Sequence, residues 1–267
     1  MLAIKYLQKD MRISALLPFW NTSPELLSDG HSTGNATISV SQGKLAKILF
    51  SIIAIFLIGH IIEGAMGSDG SIRVLQLSFW TDLNREFNVP TLFSCGLLLT
   101  SSLLLALIAC IAKTSDRRRF RHWVSLSVIF LLLMIDELLS FHDGFSDVMW
   151  PVLQAYEIRV RFFYYPWVII GIALVSVFFL VFSRFLFSLP PRFRNAFILS
   201  GFVYISGTIG LEMINGAWLT LSEEGFIYYV LTGIEEVLEM SGISIFICTL
   251  LAYLQDLSRD VTVAIRS

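Results

Sequence analysis

The chain has 267 residues, of which 55% are hydrophobic and only 15% charged, with a mean hydropathy of +0.73. A soluble domain of this size would expose a large apolar surface at such values, so that class is excluded and an integral membrane protein in a lipid bilayer remains. A net charge of -2, with basic residues confined to short clusters at the ends of apolar runs, gives no case for nucleic acid as a partner.

In chain order, Ile4, Leu7, Met11 and Ala15 recur at helical spacing beside Lys5, Lys9 and Arg12. This predicts an amphipathic interfacial helix that Pro18 ends. Charged residues interrupt the run, which argues against a cleaved leader. Residues 21–44 are rich in Ser, Thr, Asn and Gly, the composition of a flexible tether. Residues 1–44 are therefore read as an amphipathic and flexible N-terminal segment, 45–255 as a transmembrane helical domain, and 256–267 as a cytoplasmic tail.

Six runs of about 20 apolar residues, each long enough to cross about 30 Å of hydrocarbon, are predicted at Leu45–Met66, Pro90–Ile111, Trp123–Phe141, Trp167–Phe187, Ala196–Leu221 and Phe226–Leu254. The fold class is all-α, a polytopic transmembrane helix bundle. Loops at 67–89 and 144–165 carry Trp80, Trp150, Tyr156, Tyr164 and Tyr165, aromatic residues of the kind that sit at headgroup level. Of the 19 Lys and Arg, only Arg73, Arg85, Arg159 and Arg161 lie on the side of those loops, so the positive-inside rule predicts both termini in the cytoplasm. Cys95, Cys110 and Cys248 all fall in spans and form no metal-ligand or disulfide pattern.

The acids carry the functional signal. His60 and Glu63 lie in the first span, and Asp136 and Glu137 in the third, with His142 and Asp143 at its mouth. Glu212, followed by Asn215, lies in the fifth span, and Glu235, Glu236 and Glu239 in the sixth. At 1.5 Å per residue, His60, Asp136, Glu212 and Glu236 all fall about 9 to 15 Å below the outer surface. On a continuous helix Asp136, Ser140 and Asp143 would share one face, and Glu235, Glu236 and Glu239 an arc of about 100°. Gly207, Gly210 and Gly216 flank Glu212 and would let helices approach, which makes the fifth span the expected centre of the bundle.

No Lys or Arg stands beside these carboxylates to neutralise them, and a lone charge at mid-bilayer costs about 2.5 to 3.5 kcal/mol or more. Protons or bound cations must supply the balance. One reading is a divalent-metal site, with Asp136, Glu212, Glu236, Glu239, His60 and His142 as ligands and Glu63, Glu137, Asp143, Glu235 and Asn215 at the rim or behind them. Such a ligand set suits Fe or Mn, with Zn also compatible, and would permit a metal-dependent membrane enzyme. Haem is disfavoured, since a bis-histidine haem has no use for so many acids. A second reading is a proton- or cation-coupled transporter or channel, and a third is an assembly or sensor subunit whose acids hold helices together without chemistry.

At Asp136-Glu137-x4-His142-Asp143 and Glu235-Glu236-x2-Glu239-Met240-x-Gly242, together with Gly210-Leu-Glu212-Met213 and Asn88-Val-Pro90-Thr91, the chain resembles an uncharacterised family of bacterial polytopic inner-membrane proteins. The resemblance covers about Leu45 to Leu254. It implies a multi-pass protein of the bacterial inner membrane and brings no activity with it; in the orientation expected from the basic clusters, the acid layer then faces the periplasmic side.

Overall fold

A computed structural model describes residues 41–66, 77–113, 117–155, 161–222 and 225–266; the reading of residues 1–40 lies outside them. Among the described residues there is no strand, and six helical segments are long and apolar enough to cross a membrane. They are α1 (Gln42–Met66), α3 (Val89–Ala112), α4 (Arg117–Leu139), α6 (Trp167–Phe187), a composite fifth segment, and α9 (Phe226–Arg266). The fifth is built from α7 (Pro191–Ile205), a π-helical stretch (Ser206–Leu211) and α8 (Glu212–Leu219). Short α2 (Leu77–Thr81) and the amphipathic α5 (Phe141–Ala155) complete the set.

The centre of the bundle is α9 and not the fifth span, because α1, α3, α7 and the π-helical stretch all pack on it. Glycines on both partners explain the α7–α9 approach. A Cβ on Gly242 would stand 2.7 Å from the Tyr204 backbone nitrogen, and one on Gly207 would stand 2.8 Å from the Glu235 carbonyl oxygen. Ser200 Oγ donates to the Gly242 carbonyl at 3.0 Å across the same crossing. Gly210 meets no neighbouring helix, and Gly216 seats Tyr164 instead. Past Gly242 the sequence has no Gly or Pro to stop the helix, so α9 continues to Arg266 through the expected tail.

The α3–α4 pair is fixed by reciprocal bonds, Ser102 Oγ to the Ser127 carbonyl at 2.8 Å and Ser127 Oγ to the Ser102 carbonyl at 2.9 Å. Such bonds let small side chains hold helices together where lipid offers no hydrophobic drive. Asn88 caps α3, its Oδ1 accepting from the Thr91 backbone N–H at 3.0 Å, with Pro90 in the first turn where its missing N–H costs nothing. At the arginine-bearing end, Trp123 is 1% exposed and its ring meets Phe185, Phe197 and Tyr253. That aromatic plug joins α4, α6, α7 and α9.

Candidate functional site: an acid-lined cavity

The third span does not run through its motif as one helix. Ser140 adopts φ 48°, a left-handed conformation that a non-glycine residue takes only when its surroundings demand it, and α4 ends there before α5 begins. The shared face of Asp136, Ser140 and Asp143 is therefore not formed. An unbroken helix would leave His142, six residues on, about 120° from Asp136. The break folds it back, so that His142 Nδ1 donates to Asp136 Oδ2 at 3.0 Å while Nε2 lies 3.7 Å from Asp143 Oδ1. Burial alone would lower the His142 pKa, but the Asp136 bond and the charges of Asp143 and Glu239 outweigh it and hold it up at about 9. Burial also raises the Asp143 carboxyl, against the opposing pull of His142.

The fifth span contributes through its π-helical stretch. Such segments are widened turns that recur at functional sites, and this one ends at Glu212. Glu212 Oε1 accepts from the Trp167 indole N–H at 3.0 Å. One turn on, Asn215 Nδ2 donates to Glu235 Oε2 on α9. Glu235 in turn faces Glu212 within hydrogen-bonding reach. Glu236 and Glu239 interact electrostatically with Glu137 and Glu212, and Ser94 of α3 hydrogen-bonds Glu137.

These groups line one cavity of about 1210 Å³. Its walls include Asp136, Glu137, His142, Asp143, Glu212, Asn215, Glu235, Glu236 and Glu239, nine of the residues expected from sequence. Sequence reasoning missed Glu86 and Arg85, which reach the cavity from the turn before α3, and Tyr165 and Tyr228, whose hydroxyls meet at 3.2 Å. Both Glu86 and Arg85 sit in a stretch that composition assigns to a headgroup-level loop, so no signal marked them. Arg85 is the only Lys or Arg among the described lining residues, and it corrects the expectation that none stands beside the carboxylates.

Of the buried side-chain atoms that lack a partner among the described residues, Asn215 Oδ1 is the one on the cavity wall. Asn215 is 2% exposed, and with its amide nitrogen engaged by Glu235 its Oδ1 accepts from nothing. A buried acceptor left open costs about 1–3 kcal/mol, and here it stands among further acceptors at Glu212 and Glu235. The site is thus short of donors. Among the described residues, no group of three or more His, Cys, Asp or Glu side chains is arranged to hold a metal ion.

His60 is placed elsewhere, in a closed polar knot between α1, α2 and α9. It is fully buried, its Nδ1 accepting from the Leu83 backbone N–H at 3.0 Å and its Nε2 donating to the Tyr229 carbonyl at 2.8 Å. Its ring stacks on Tyr229 at 3.8 Å, and a Cβ on Gly233 would strike it. Asp82 closes the knot, accepting from Asn84 N–H at 2.9 Å and from the Tyr229 hydroxyl at 3.0 Å. Both ring nitrogens of His60 are used, and neither His60 nor Glu63 lines the cavity.

No curated protein and no solved structure matches the chain. A family model described as Domain of unknown function (DUF8692) matches residues 48–254, a stretch that takes in every described cavity-lining carboxylate and reaches all six spans. The chain belongs to that family.

Proposed function

We propose that this is a multi-pass protein of the bacterial inner membrane whose cavity binds a positively charged ligand and exchanges carboxyl protons for it. The observation that carries this reading is Asn215 Oδ1, a buried acceptor with no donor, set in a wall whose carboxyl groups outnumber its cationic side chains, Arg85 and His142. A ligand bringing N–H donors and positive charge answers both deficits. In the orientation expected from the basic clusters, the acids face the periplasmic side. Whether uptake ends in transport across the bilayer is read by liposome flux, where loss of cation uptake in Glu236→Gln would mark a transporter.

Calorimetric titration of the protein in phosphatidylcholine nanodiscs with hexylammonium, and with hexanol as the neutral control, tests the reading. Hexylammonium should bind with proton release, seen as a heat that varies with the buffer's ionisation enthalpy, and Asn215→Leu should weaken it about 10-fold or more. Equal binding of hexanol, or binding unchanged in Asn215→Leu, overturns the proposal.

A divalent metal, Fe, Mn or Zn, is the second reading, and it draws on the Asp136–His142 corner. A carboxylate on Nδ1 is the arrangement that orients a ligating imidazole, leaving Nε2 toward Asp143. Elemental analysis decides it: stoichiometric metal that is lost in His142→Ala supports this reading, and none in the native protein sinks it.

A further inference from the structure

The cavity does not end at the acids. Beyond them it continues between α4 and α6 down to the aromatic plug at Trp123 and Phe185, and its walls there are Leu126, Ile129 and Leu133 on one side and Leu174, Val177 and Phe178 on the other. None of these is ionisable. From Trp167 to Leu186, the first and last α6 residues that line it, the helix rises about 28 Å.

α6 is anchored only near its ends. Its buried residues are Val168 and Gly171 at one end and Phe182 and Phe185 at the other, whereas Leu174 is 63% and Val177 57% exposed. α4 likewise buries only Trp123 and Leu126. Two spans that line a common cavity with mid-height side chains both exposed and lining leave a slot between them, and at that depth the surroundings are lipid. The cavity therefore has an apolar arm open sideways to the bilayer and a donor-poor, carboxylate-rich head.

We infer that the cavity takes a single-chain amphiphile with a primary amine headgroup, drawn from the bilayer through the slot between α4 and α6. The chain lies along α4 and α6. The ammonium reaches the Asn215, Glu212 and Glu235 corner, where three N–H donors meet three acceptors. Charge complementarity selects against phosphate-bearing lipid headgroups, because a phosphate would enter a wall where Arg85 and His142 stand against eight described carboxyl groups. This inference rests on the cationic-ligand reading above and adds the tail and its route.

The test uses the full-length protein in phosphatidylcholine nanodiscs and two probes: dodecylammonium with a diazirine near the end of the chain, and its N-acetylated, neutral counterpart. On irradiation the amine should label peptides of α4 and α6 in preference to the lipid-facing surface of α1. Leu174→Trp, at an exposed wall position, should cut that labelling several-fold with the melting temperature unchanged. Equal labelling by the acetylated probe would overturn the headgroup assignment. Amine labelling that persists undiminished in Leu174→Trp, or that falls equally on α1, would overturn the slot while hexylammonium binding keeps the cationic site standing.

Discussion

His60 and Asn215 are both fully or almost fully buried polar residues packed against α9, yet they sit in opposite kinds of surroundings. Every nitrogen of His60 is answered by a backbone group of the same chain, and the knot around it is complete. Asn215 is answered on its nitrogen and left open on its oxygen. The difference separates polarity that builds a membrane protein from polarity kept for something else. A satisfied buried group returns its desolvation cost within the fold, and an unsatisfied one carries a cost that only a ligand removes.

Substitution should break this contrast in a graded way. The largest effect is expected for His60→Ala, which strands the Leu83 N–H and opens a cavity; stability should fall by about 3 kcal/mol or more, read by thermal melting in detergent. Gly207→Val comes next. It drives a side chain into the Glu235 carbonyl and the Glu239 stem, an overpacking that costs about 1–3 kcal/mol and also displaces the wall, so hexylammonium binding should be lost along with melting temperature. Asn215→Leu should change stability by only about 1 kcal/mol or less, since it removes the orphaned acceptor and the Glu235 donor together, while binding falls. If Asn215→Leu destabilises as much as His60→Ala, the contrast between the two corners is wrong.

The smallest effect is on pH dependence. The pKa of His142 is raised above its unfolded value to about 9, so its pairing with Asp136 contributes fully below about pH 6.5. That contribution is lost as pH rises through about 9. Melting temperature should decline over this window in the native protein, and the decline should flatten in His142→Gln. An identical decline in both would remove His142 as its source.

Much of this was legible because bilayer thickness imposes its own length on apolar runs. The spans, their number and the layer of acids follow from counting residues, and the Glu235, Glu236 and Glu239 arc survives because α9 is an unbroken helix there. Angular reasoning failed at Ser140, where nothing in the residue type announces a left-handed turn: glycine would have, and the nearest one is Gly144. Depth reasoning failed at His60 for a different cause. Equal depth says nothing about azimuth, and Tyr229 and Gly233 turn toward α1 while Glu235 and Glu239 turn toward the π-helical stretch. The centre of the bundle was misplaced because glycines mark where helices touch but not which partner is shared by most others.

The π-helical stretch has a consequence for how this span tolerates change in length. A π-turn holds one residue more than the α-turn it replaces, so residues 206–211 store an offset in the helical phase, and everything after them, Glu212 and Asn215 included, is aimed by that offset. Deleting one residue there would restore regular winding with no loss of membrane crossing, yet would rotate both side chains by about 100°. A span of the same composition and hydropathy would then present its polar residues to the wrong neighbour.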